Sequence, residues 1–277
     1  MSEERVAVVT GASSGIGAAV VRRLAAAGFR VFGASRSVPA EADGVEHIPL
    51  DVCDDDSVRA GVASVLDTAG RIDVLVNNAG YLCAGAVEEV SLAAARAQFE
   101  TNYFGVARMT VAVLPAMRAA GRGHIITVSS LAGLVPVPFW GHYNASKFAV
   151  EGLMETLRYE VRPFGIRVAM VEPGAIKTPF YAQPQEAGLD AYAGPRERTF
   201  AVMAGFESKA PGPDVVAGKV LAIANDARPA LRNKITRETT QLTLLKWLLP
   251  GGAFEAGARR VFKLGGGSPA ATGAGKG

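Results

Sequence analysis

Short runs of apolar, often β-branched residues alternate with longer stretches of helical periodicity, and this alternation constrains the chain more than any other feature. The runs fall at residues 6–10, 31–34, 47–50, 72–77, 124–129 and 166–172. Several are apolar almost without a break, as strands covered on both faces of a parallel sheet must be. Helices are predicted over 15–27, 56–69, 91–120 and about 142–162. Gly28 is placed to stop the first, carboxylates at Asp54 to Asp56 to start the second, and Pro115 to bend or end the third. Strand and helix in strict turn imply βαβ units and a doubly wound parallel sheet of the α/β class, a Rossmann fold. Beyond Pro173 the pattern predicts loops to about Gly212, a helix over 214–224, an edge strand near 231–235 and apolar helical pieces over 242–264. Residues 265–277 are small and polar and read as a disordered tail.

The 277 residues are 49% apolar and 20% charged, enough for one large core, so a single domain is expected over 1–264. A net charge of +3, with Lys and Arg scattered among acids, gives no stripe that would track nucleic acid. The two cysteines, Cys53 and Cys83, form neither a disulfide framework nor a metal-ligand spacing, so no metal is expected and a reducing, cytoplasmic home is. The first residues lack the basic-then-apolar pattern of an export signal. The longest uncharged stretch, 125–141, holds Ser129, Ser130, Pro136 and Pro138, which argues against a membrane span.

The first strand runs into TGASSGIG at 10–17 and then into a helix. Glycines at that junction let the backbone approach a pyrophosphate, and the helix N-terminus stabilises its charge. The spacing is GxxxGxG, not the GxGxxG of many dinucleotide folds, and the alternative is a turn that only packs helix on strand. At the end of the second strand, where an acidic residue would hold the ribose hydroxyls of NAD, stand Ser35 and Arg36. A guanidinium suits a 2′-phosphate, so NADP is expected over NAD; the alternative is a plain surface charge.

In Tyr143-Asn144-Ala145-Ser146-Lys147 a tyrosine and a lysine stand four apart on a helix and share a face. Lowering a tyrosine from ~10 to near 7 needs about 4 kcal/mol, and an ammonium at about 4 Å in a medium of effective dielectric near 20 supplies roughly that. Tyr143 can then serve as general acid or base, with Lys147 tuning it. The pair alone is common on amphipathic helices. Ser129-Ser130, at the carboxyl end of a strand thirteen residues earlier, adds a hydroxyl where doubly wound folds bind ligands.

TGASSGIG at 10–17, NNAG at 77–80, Ser130, Tyr143-x-x-x-Lys147 and Pro173-Gly174 occur in the order and approximate spacing of the short-chain dehydrogenases/reductases, and the chain resembles that family over about its first 180 residues. The resemblance implies that Ser130 polarises a carbonyl, Tyr143 exchanges the proton, Lys147 also binds the nicotinamide ribose, and Asn102 holds a water in a proton relay. It places Gly11, Ser14, Ile16 and Gly17 on the diphosphate, Arg36 at the NADP-selecting position, Asp51 and Val52 at the adenine, Asn78 beside the ribose, and Ile176 and Thr178 at the nicotinamide amide. It also implies a homodimer or homotetramer through the helix that starts near His142. The ending over 229–264 departs from the family's usual short strand and glycine-rich tail, and looks like the steroid- and retinol-type branch, with lids over 179–211 and 239–264 covering the cleft.

The expected activity is therefore hydride exchange between NADP(H) and a ketone, aldehyde or secondary alcohol of apolar character. Leu131, Leu134, Val135, Pro136, Val137, Phe139 and Trp140, with Leu244, Leu245, Trp247, Leu248 and Leu249, would line an apolar cleft; the alternative is core or dimer packing. His142 and Tyr181 would add polar contacts. The cationic stretch over 242–262 is more in keeping with a core- or partner-facing element than with a membrane surface. Rival functions are a non-catalytic dinucleotide sensor and a nucleotide-sugar epimerase or dehydratase.

Overall fold

The computed structural model describes residues 4–37, 45–178 and 188–265. Tyr181, the first part of the expected lid (179–187) and the expected tail beyond 265 lie outside them. Seven strands form one parallel sheet: β1 (Val6–Thr10), β2 (Arg30–Ser35), β3 (Glu46–Pro49), β4 (Val74–Asn77), β5 (Gly123–Val128), β6 (Ile166–Glu172) and β7 (Arg232–Lys234), in the order β3-β2-β1-β4-β5-β6-β7. The order reverses between β1 and β4, and a crevice opens there beyond the carboxyl ends of the strands.

Each strand splits its side chains between two cores. Val6, Val8, Ile166, Val168 and Met170 join the core beneath α2 (Asp55–Ala69), α4 (Gly105–Ala120) and α5 (Gly141–Val161). Ala7, Val9, Ala169 and Val171 face the other way, with residues of α1 (Gly15–Ala26) and α7 (Asp214–Ala224). Burial on both faces is what makes these strands read as apolar runs. The caps follow sequence chemistry. Asp54 accepts from the Ser57 N–H at the start of α2, and Gly70 closes that helix in the left-handed region at φ 72°.

Three expectations need correction. The helix predicted over 91–120 is interrupted: α3 (Leu92–Phe99) passes through a π-helical turn, Glu100–Phe104, into α4. Pro115 does not end α4, which runs on to Ala120 and a left-handed Gly121. The carbonyl its missing N–H would have engaged belongs to Val111, which is 67% exposed and can turn to water. Finally, the region expected as loop to Gly212 contains α6 (Asp190–Ser208).

Helix α6 buries only Thr199 fully; Phe139 meets its Tyr192 and Phe200 edge-on, and polar contacts add to this. Arg196 pairs with Glu89, the Leu189 N–H donates to Glu89 Oε1 at 2.8 Å, and the Tyr192 hydroxyl donates to Glu88 Oε2 at 2.8 Å. After β7 come α8 (Arg237–Leu248) and α9 (Gly251–Val261), where the sequence predicts a C-terminal helical extension. Among the described residues no helix is long and apolar enough to cross a membrane.

Candidate active site

The turn after β1 is built for close approach. Gly11 (φ 64°) and Gly15 (φ 54°) take left-handed conformations that disfavour side chains. A Cβ on Gly17 would collide with the Gly11 carbonyl and come within 2.6 Å of Asn78 Nδ2. Thr10 Oγ1 accepts from the N–H groups of Asn78 and Ala79, both at 3.0 Å, and Asn78 Nδ2 donates back to the carbonyls of Thr10 (2.9 Å) and Gly11 (3.2 Å). The turn is thereby clamped to the end of β4.

Ser14 stands extended at the start of α1, its side chain makes no capping bond, and the first turn of α1 holds no acid. The positive end of the helix thus faces the crevice uncompensated by the protein, which fits a phosphate group. The cleft measures about 980 Å³ and runs from this turn past Arg36, Asp51, Val52 and Asn78 to Ser130, Tyr143, Lys147, Ile176 and Thr178. Of the catalytic and cofactor-binding residues nominated from sequence, only Gly17 and Asn102 stay out of its lining: Gly17 packs beneath the turn and Asn102 behind the wall.

Asn102 lies in the π-helical turn, fully buried. Its Oδ1 accepts from the Tyr81 N–H at 3.0 Å, and its Nδ2 donates to the Tyr81 carbonyl at 2.9 Å and to Ser146 Oγ at 3.2 Å. It therefore fixes the loop after β4 against α5. Asp51 accepts from the Cys53 N–H at 2.9 Å, and Arg36 is exposed, with no ion-pair partner among the described residues.

At the floor of the cleft Tyr143 and Lys147 emerge from one face of α5. Ser130 ends the loop from β5; its Oγ accepts from the Ala132 N–H at 3.1 Å and hydrogen-bonds the Tyr143 phenol. Lys147 Nζ donates to the Val128 carbonyl at 2.9 Å and lies 5.8 Å from the centroid of the Tyr143 ring. Burial pushes the phenol up to about 12, against the hydrogen bond with Ser130. The same desolvation pulls the Lys147 ammonium down to about 8, and the Glu151 carboxylate opposes it.

The expectation of a tyrosine near 7 is thus not met in the protein alone. Loss of water outweighs the ammonium, whose nitrogen turns to a backbone carbonyl. The arrangement holds a proton on Tyr143 at neutral pH and can deliver it to an oxygen held by Ser130.

The apolar lining also differs in part from expectation. Leu82, Leu131, Val137, Trp140 and Met203 of α6 line the cleft, whereas Leu134, Val135, Pro136 and Phe139 do not. Leu244, Leu245, Trp247, Leu248 and Leu249 are also absent from the lining and stand exposed at the end of α8 and just beyond it, Trp247 at 81%. Lys246 instead anchors α8, donating to the Leu134 carbonyl at 2.6 Å. Sequence reasoning missed Thr10, Met203 and the anchoring pair Glu88 and Glu89. A threonine directly before the glycine turn was the one available signal.

The family model for short chain dehydrogenases matches residues 5–187. Retinol dehydrogenase 8 from Bos taurus is 35% identical over 90% of this chain and 87% of its own length. The 3-ketodihydrosphingosine reductase of Bacteroides thetaiotaomicron is 43% identical over 178 residues, which span 64% of this chain and 66% of that protein. The crystal structure of a short-chain dehydrogenase from Streptomyces avermitilis superposes with a TM-score of 0.80 at 34% identity, covering 94% of this chain and 97% of the other. Sequence and fold agree, and the chain belongs to the short-chain dehydrogenase family of oxidoreductases, which bind nicotinamide cofactors.

Proposed function

We propose that this protein is an NADP(H)-dependent oxidoreductase acting on apolar, lipid-like carbonyls and secondary alcohols, with Tyr143 as the proton donor and acceptor. The observation that carries the proposal is the buried Tyr143 phenol, hydrogen-bonded to Ser130 and one helical turn from Lys147, at the floor of a cleft whose other end is the glycine turn. When bound, the dinucleotide supplies the nicotinamide that gives or takes the hydride.

Ser130 Oγ accepts from the Ala132 N–H and meets the Tyr143 phenol, so a substrate oxygen placed between the two hydroxyls can accept the serine proton. Tyr143 keeps its proton at neutral pH and gives it to the developing alkoxide, which suits reduction. Lys147 commits one N–H to Val128, leaving two for the ribose and for Tyr143. Asn102 acts from behind, fixing Tyr81 and Ser146 so that the wall beside Lys147 keeps its shape.

An exposed Arg36 without an acidic partner among the described residues, preceded by Ser35 where an acid would repel a 2′-phosphate, supports NADP over NAD. The aliphatic and aromatic lining, with Met203 supplied by the lid helix α6, supports an apolar substrate. The names of the relatives, a retinol dehydrogenase and a ketosphingoid reductase, point the same way. Exposed Phe104 and Val111 near α4, and Phe148 and Tyr159 on α5, support self-association into a dimer or tetramer.

The test is consumption of NADPH and, separately, NADH against a panel of apolar ketones and aldehydes, with Tyr143→Phe as control. Turnover favouring NADPH and lost in the variant is expected. Tight NADPH binding without turnover of any carbonyl or alcohol would instead identify a dinucleotide sensor.

A further inference from the structure

On α5 four ionisable residues follow at intervals of four: Tyr143, Lys147, Glu151 and Glu155. That spacing lays them along one stripe from the cleft towards the far end of the helix. On β6 the residues facing α5 are Ile166, Val168 and Met170, and the alternation continues to Glu172, which brings a carboxyl into a row that is otherwise apolar. Glu172 is fully buried and Glu151 is 4% exposed.

The cations nearby equal the carboxyls in number but do not pair with each of them. Arg232 of β7 divides its guanidinium between Glu151 Oε2 (2.8 Å) and Glu155 Oε2 (2.7 Å). Lys147 is committed to Val128, and Lys234 pairs with Glu172 only through the strand register. Among the described residues, neither oxygen of Glu172 nor Oε1 of Glu151 makes a well-formed hydrogen bond; the Asn233 backbone and the Ser129 hydroxyl come close enough only to favour the charged forms of Glu172 and Glu151. Two neighbouring carboxyls can relieve each other's unmet oxygens only if one carries a proton to donate.

We propose that Glu151 and Glu172 form a buried carboxyl pair that holds one proton between them, sits behind Lys147, and keeps the Lys147 ammonium charged. Glu172 is the protonated member. Burial, and after it the charge of Glu151, pushes Glu172 up to about 8, and the backbone of Asn233 with Arg232 and Lys234 only partly oppose this. Glu151 carries the charge, supported by Ser129, Arg232 and Lys147 although burial pushes its carboxyl upwards too. The Glu151 carboxylate then opposes the desolvation of Lys147. Glu151 is in this sense a positioning residue for the proton exchange proposed above, and the inference rests on that reading.

Two measurements test the pair. Isotope-edited infrared spectra of the wild-type protein with labelled glutamate read the proton directly and need no substrate. A protonated carboxyl band present near about pH 6, gone by about pH 10 and missing in Glu172→Gln is expected, and its absence at about pH 6 overturns the shared proton. In Glu151→Gln, which keeps an acceptor for Arg232, the alkaline limb of kcat for reduction should move down by about one pH unit, roughly tenfold less turnover on that limb, with Glu151→Asp restoring it. A limb that coincides with wild type in Glu151→Gln overturns the link to Lys147. Should no carbonyl be turned over at all, the oxidoreductase reading falls, while the infrared band still decides whether the proton is shared.

Discussion

Lys147 Nζ lies 5.8 Å from the centroid of the Tyr143 ring, and its bond to the Val128 carbonyl ties the end of β5 to α5. Both groups are buried, and desolvation moves them in opposite directions, the phenol to about 12 and the ammonium to about 8. Their usual order of proton loss is therefore reversed: as pH rises, the lysine gives up its proton well before the tyrosine does.

Reduction should consequently be limited on the alkaline side by Lys147 and not by Tyr143. The reductive kcat is expected to fall as pH rises through about 8, measured with saturating dinucleotide and ketone. Tyr143→Phe should lower kcat by roughly 10²–10⁴-fold, the usual contribution of a positioned general acid, with dinucleotide affinity by fluorescence titration little changed.

Arg36 meets the cleft as an exposed cation without an acidic partner among the described residues, so its removal should act on one cofactor only. Arg36→Ala is expected to weaken NADPH binding by roughly 10–100-fold, the worth of a charge-assisted hydrogen bond to phosphate, and to leave NADH nearly unaffected. Paired dissociation constants for the two dinucleotides check this.

Gly17 packs against the Gly11 carbonyl and Asn78 Nδ2, leaving no room for a methyl group. Gly17→Ala should force the turn outwards, costing on the order of 1–3 kcal/mol of stability and loosening the clamp between Thr10 and Asn78. Thermal unfolding with and without NADPH is the measurement, and the stabilisation by ligand should shrink with the affinity.

Glu172 links stability to pH. Its folded carboxyl titrates at about 8 against an ordinary 4.5, so the folded chain binds the extra proton between those values. Stability from this group is complete below the ordinary value and is lost as pH rises towards 8. Glu172→Gln removes that loss, so the variant should gain on wild type by on the order of 2–4 kcal/mol near about pH 8 and lose the advantage near about pH 4.5. Denaturant melts at the two pH values decide it.

Much of this architecture was legible in the residues. Strands β1 and β6 match the apolar runs at both ends because each is covered on two faces. Ser130, Tyr143 and Lys147 were recognisable because they carry chemistry in their side chains and meet in the cleft. Helix α6 was not, since Gly194, Pro195 and Gly205 are poor helix formers within it and its polar anchors, Glu88 and Glu89, lie on a distant loop. Glu172 passed for the polar end of a strand, because a single sequence cannot show that the row it extends is closed over by α5 and Arg232. The leucines and Trp247 towards the end of α8 look like cleft residues in composition, and only packing shows that they face outwards.

The π-helical turn at Glu100–Phe104 admits one more residue than an α-helical turn, so everything after it is rotated by about 100° relative to a continuous helix. It works as a phase adjuster. Upstream, Ala95 and Gln98 of α3 keep to their own buried face; downstream, Met109, Val113 and Met117 are brought round to the sheet. A chain shortened by one residue within the turn cannot satisfy both halves: either Asn102 leaves its bonds to Tyr81 and Ser146, or the methionine row swings out of the core.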